Sequence, residues 1–74
     1  MIKELDPVVL TEHLTAEPLE PGDVGWVVMV HADGAGFEVE FVTLTGETVA
    51  VVTVPASAVR AVNSREIAHA RAVA

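Results

Sequence analysis

The chain has no cysteine, only four Lys and Arg, and no hydrophobic run long enough to span a bilayer. The first absence removes disulfides, thiolate metal sites and thiol chemistry together. The shortage of basic residues, against eleven Asp and Glu and a net charge of −7, disfavours phosphate backbones, whose affinity comes largely from Lys and Arg displacing counterions. It also disfavours anionic membrane surfaces. A membrane-spanning helix needs about 20 apolar residues in succession, so none is expected. At 74 residues the chain has room for one small domain with one modest core. A Rossmann unit or a second catalytic domain does not fit. The opening Met1-Ile-Lys-Glu-Leu-Asp6 puts acids where a secretory signal needs positive charge, and a cytoplasmic location is expected.

What is present is valine: fifteen of them against two isoleucines. β-Branched side chains are stiff at χ1 and suit strands. Turn residues cut the sequence into short pieces. Pro7 to Glu12 reads as a first strand, and His13 to Gly22 as a polar loop ending in the Pro21-Gly22 turn signal. Asp23 to His31 is a second strand, and Asp33-Gly34 between apolar runs is a hairpin cue. Phe37-Glu38-Val39-Glu40-Phe41 alternates strictly, so one face takes Phe37, Val39 and Phe41 and the other takes Glu38 and Glu40. Thr48 to Val54 is a fourth strand. Pro55 to Ala58 reads as a 3₁₀ turn and Val59 to Val62 as a short fifth strand. Five short strands on close turns imply an all-β fold, a small SH3-like five-stranded antiparallel barrel over residues 1–62, since closure hides exposed edges. Residues 63–74 differ. Asn63 with Glu66 three residues on fits a capping box, and Ile67, Ala70 and Val73 follow at helical spacing. A short C-terminal helix, docked or partner-bound, and a frayed tail are both open.

The apolar surplus is the most informative feature. Trp26-Val-Val-Met-Val30 is apolar on both faces, as is Val49-Ala-Val-Val52. If Val24, Trp26, Val28 and Val30 line the core, Val27 and Met29 lie outside; a bulge would instead put Trp26 and Val28 outside. Either way an outer patch needs a cover. The candidates are the His13–Gly22 loop with the tail, a second copy forming a homodimer, or another protein, for which Trp26 and Met29 are the natural anchors. Ten of the acids fall in residues 1–47, against Lys3 alone; residues 48–74 hold three Arg against Glu66. Glu38 and Glu40, flanked by Asp33 and Glu47 at the turns, would form one negative patch suited to a basic protein partner. The bland account of the same charge is solubility.

Other constellations carry little chemistry. Glu38 and Glu40 share a face but have no pocket or nucleophile beside them, and a solvated or partner-facing strand explains them better than acid–base work. His13, His31 and His69 are scattered without ligand spacing, so no metal is expected. Ser57 and Ser64 have no neighbouring base. Gly22-Asp23-Val24-Gly25 lacks the Gly-Lys-Ser/Thr ending of a phosphate loop. Gly25 is better read as allowing close backbone approach or a bulge. No cofactor and no catalytic residue is expected.

Pro21-Gly-Asp-Val-Gly-Trp-Val-Val28, then Phe37-Glu-Val-Glu-Phe41, then Gly46-Glu-Thr48 before a Val-rich strand, resemble a family of small uncharacterised bacterial SH3-like proteins with a P-G-D-x-G-x-V-V … E-V-E-F signature. Leu5-Asp-Pro-Val-Val-Leu10 matches its usual opening, and the resemblance covers roughly residues 4–62. It implies an SH3-like barrel without known enzymatic activity and offers no catalytic residue to carry over. Some relatives look like partners of small toxins, which implies an antitoxin-like role as one option. Trp26 stands where Thr is common, and the Ala-rich tail lies outside the family core. Two functions follow as expectations. The first is a non-enzymatic protein-interaction module, antitoxin-like or accessory to a larger protein. The alternative is a nucleic-acid-binding barrel of the ribosomal or transcription-factor type using Arg60, Arg65 and Arg71, which the acidic body makes the weaker choice.

Overall fold

A computed structural model describes residues 1–73. It contains five strands: β1 Pro7–Leu10, β2 Val24–His31, β3 Gly36–Val42, β4 Thr48–Pro55 and β5 Val59–Ala61. Short 3₁₀ turns at Ala32–Gly34 and Ala56–Ala58 join β2 to β3 and β4 to β5. The breakers place these boundaries to within a residue or two of the sequence reading. All pairings are antiparallel, in the order β4-β3-β2-β1-β5. No helix among the described residues is long and apolar enough to cross a membrane.

The sheet is not closed. β4 and β5 are neighbours in sequence but occupy opposite edges, and no ladder joins them. β5 is only three residues long and is paired throughout with β1, while β4 pairs with β3 alone. The expected cylinder is therefore, in its hydrogen bonding, an open five-stranded sheet.

One face of this sheet carries the core. Val8 and Leu10 of β1, Val27 of β2, Phe37, Val39 and Phe41 of β3 and Val54 of β4 are buried in one cluster, joined by Leu19 and Ala58. The alternation of β3 is realised in full: Phe37, Val39 and Phe41 are buried while Glu38 and Glu40 are not. The His13–Gly22 loop sends its leucines to this inner side. Leu19 is buried, and Leu14 bridges to it and packs on the same cluster. They cap the core and do not cover the outer face.

Residues 63–73 form no helix, which corrects the reading of Asn63 and Glu66 as a helix start. Half of the capping box does form: the Asn63 N–H donates to Glu66 Oε1 at 2.6 Å. Arg65, however, has φ +66°, in the left-handed region that a continuing helix cannot use. Arg60 also claims the Glu66 carboxylate with two bonds of 2.9 and 2.7 Å. The result is a turn followed by irregular chain. Ile67, one of the residues at helical spacing, is 93% exposed; of the two options left open, helix or tail, the helix is the one not seen.

Candidate functional site

The register of β2 decides what the outer face presents. Trp26 pairs with Glu40 and Val27 with Val39, then Met29 pairs with Glu38, so Val28 is an extra residue in a β-bulge. Before the bulge, Gly25 and Val27 point inward and Val24 and Trp26 outward. After it, Met29 points outward and Val30 returns toward the core, against which it packs. The expected alternative, a bulge with Trp26 and Val28 outside, is the one the strand adopts, with Met29 outside as well. Trp26, Val28 and Met29 are all outside, because the bulge resets the alternation between them. Their exposures are 45, 42 and 46%, large for an aromatic and a methionine on a domain this small.

Four of the six expected partner-binding residues are thereby brought together. Trp26 and Met29 stand on β2 beside Glu40 and Glu38 on β3 as direct cross-strand neighbours. Val51, half exposed, follows on β4 opposite Glu40. The face is an apolar stripe with a two-carboxylate stripe laid against it. Glu40 accepts a hydrogen bond from Thr48 Oγ1 at 2.8 Å, and His31 Nε2 lies 3.4 Å from Glu38 Oε1. The remaining two acids are apart. Asp33 sits in the β2–β3 turn and borders a hollow with Met1, Ile2, Phe37 and Ala56, so it does not extend the carboxylate stripe. Glu47 lies in the β3–β4 turn, where its N–H is held by Thr43 Oγ1. Among the described residues no three His, Asp or Glu side chains gather as a metal site would need.

The tail covers the other half of the outer face. Val9 pairs with Val24 and Arg60 across the sheet, which puts its side chain outside, yet it is only 7% exposed and stands apart from the core cluster. Residues 66–73 line an open groove of about 830 Å³ together with Val9, Val24 and Trp26. Two ion pairs hold the tail down. Arg60 grips Glu66 at one end. At the other, Arg71 reaches Asp23 through Nε at 2.8 Å and Nη2 at 2.5 Å, and donates to the Pro18 carbonyl at 3.0 Å. Glu20 lies 3.7 Å from the same guanidinium. Burial pushes the Asp23 carboxyl up, but hydrogen bonds from Arg71 and the Glu20 N–H, with the charge of Arg71, together hold it below its ordinary value. The Arg60 hydrogen bonds, with that from the Asn63 N–H, pull Glu66 from its ordinary 4.5 down to about 2.

Sequence reasoning identified Trp26, Met29, Glu38 and Glu40, and flagged Val51 within an over-apolar run. It did not find the Arg71–Asp23 strap, whose partners are 48 residues apart with no local pattern linking them.

The model of a family described as Domain of unknown function (DUF4926) matches residues 4–61, the stretch that contains the whole sheet, and the chain belongs to that family. No curated protein and no solved structure matches it.

Proposed function

We propose that this member of the family is a protein-interaction module that works by contact and not by catalysis, and that it binds a basic protein through the outer face of β2 and β3. The observation that carries the reading is the bulge at Val28. It sets Trp26 and Met29, residue types enriched at interfaces, beside Glu38 and Glu40 on one surface. Aromatic and thioether groups supply desolvation on binding, and the carboxylates steer and orient a cationic partner. A small basic toxin meets that description, as does a basic surface on a larger enzyme to which this chain is an accessory. The strand order, with a 3₁₀ turn leading into a short last strand, supports an SH3-like arrangement, and such folds host many unrelated binding functions. A nucleic-acid partner is disfavoured, because Arg60 and Arg71 are already engaged by Glu66 and Asp23.

Affinity capture from the native cell with the wild-type chain, Trp26→Ala and the double variant Glu38→Lys/Glu40→Lys tests the proposal. The wild type is expected to retain a basic protein in a salt-sensitive manner. The double variant should lose it at least tenfold and Trp26→Ala should weaken it, all three chains keeping the same β-type circular dichroism. Equal recovery by all three, or recovery of nucleic acid instead, would overturn it.

A further inference from the structure

The free edge of β4 lies apart from the Trp26 face. β4 is eight residues long, Thr48-Val-Ala-Val-Val-Thr-Val-Pro55, with no charged residue and proline only at its end. Edge strands usually carry a lysine, an interior proline or an inward charge, or are kept very short, to prevent pairing with another chain. The opposite edge follows that pattern: β5 has three residues, including Arg60. β4 has none of these devices from Ala50 to Val54; its one irregularity is a β-bulge at Val49, near its start, which leaves this stretch regular.

Its backbone groups can be assigned. The Ala56 N–H donates to the Ala35 carbonyl, one step beyond the Gly36–Pro55 pair. Hydrogen-bonded pairs alternate along an antiparallel ladder, so Val54 and Val52 bond to Phe37 and Val39. Val51 and Thr53 then turn their N–H and C=O outward, where no backbone group among the described residues meets them. Pro55 belongs to the outward set as well, so its missing donor costs the β3 ladder nothing.

The geometry points to a second copy of this chain as the occupant of that edge. A twofold axis through Val52 places Val51 opposite Thr53 of the other copy and the reverse, and these residues satisfy one another's four free donors and acceptors. Val52 packs against the core while remaining half-buried; the axis sets it against its twin and buries both. Charge permits the pairing despite −7 on each chain. The nearest acids on the sheet, Glu38 and Glu40, are one strand in, so they stand three strand spacings from their counterparts, about 14 Å. That exceeds the Debye length of about 8 Å at physiological salt. A face-to-face dimer through Trp26 would instead press these glutamates together. The product is a continuous ten-stranded antiparallel sheet with both Trp26 faces left open, so this inference and the proposed function fail separately.

Sedimentation equilibrium of the full chain, from about 10 μM to about 1 mM, tests it alongside Val51→Lys, Thr53→Pro and Trp26→Ala. The wild type should approach twice 7.8 kDa, and hydrogen exchange at the Val51 and Thr53 amides should slow as concentration rises. Val51→Lys, at a half-exposed position, and Thr53→Pro, which removes an outward N–H, should both keep the fold and remain at the single-chain mass. Trp26→Ala should still double. A wild-type mass that stays at 7.8 kDa throughout, a dimer that survives both edge variants, or one lost on Trp26→Ala would each overturn the inference.

Discussion

Gly25 shows how one residue sets the geometry of the sheet. It faces the core between two outward residues, and a Cβ there would meet Val39 Cγ1 at 2.5 Å, Phe41 Cε1 at 2.9 Å and the Glu40 carbonyl oxygen at 3.0 Å. The Phe41 ring and the β3 backbone use the space that a side chain would take. Gly25→Ala is therefore expected to cost about 1–3 kcal/mol through overpacking, a fall in Tm of about 4 °C or more for a domain this size. Thermal melts followed by circular dichroism measure it. An unchanged melt would mean that β2 and β3 do not approach this closely. The sequence left close backbone approach and a bulge both open for this glycine; the close approach is the one found, and the bulge lies at Val28.

Among the elements, the tail depends most on charge. Its two anchors use carboxylates, Asp23 and Glu66, that are both held below their ordinary values when folded. Groups depressed on folding stabilise above the unfolded value and lose that contribution as pH falls through the folded one. Both straps are thus complete above the ordinary carboxylate range; the Glu66 strap is lost as the pH falls through about 2, and the Asp23 strap as the pH falls below that group's ordinary value. NMR relaxation of the Ile67–Val73 amides should report a rigid tail at pH 7 and a mobile one near pH 2. Arg71→Ala should loosen the same amides at pH 7 while shifting the melting of the sheet by about 4 °C or less, since exposed ion pairs contribute little to global stability. Tail amides equally rigid in Arg71→Ala would show that the Arg60–Glu66 pair and apolar packing hold the segment without the Arg71 strap. The strap was not legible in advance. A capping box and helical spacing are local signals, whereas Arg60, Asp23 and the left-handed Arg65 that outweigh them act through contacts or backbone angles no local pattern displays.

For the molecule as a whole, the core belongs to the sheet and the Leu14–Leu19 loop, with no contribution from residues 63–73. A chain ending at Val62 should keep its β-type spectrum and melt cooperatively. It should lose about 1–2 kcal/mol as Val9, only 7% exposed under the tail, returns to water. A chain that instead fails to fold would show that the tail is part of the core. The strands could be read from alternation and turn residues, because β3 has one apolar face and the breakers are strong. Closure could not, since it depends on whether two distant edges meet. Nor could the fate of Trp26, because five consecutive apolar residues carry no phase of their own. Phe37, Val39 and Phe41 on the neighbouring strand impose it.

The supernumerary valine of β2 has one more consequence. Because Val27 and Met29 already stand opposite adjacent residues of β3, a chain shortened by Val28 alone would retain inside-outside order on both flanks, whereas excising Val27 would leave a valine from the solvent side as its only replacement opposite Val39. Within this strand, tolerance to the loss of a single position is concentrated at one site, and length variation among related sequences should be sought there.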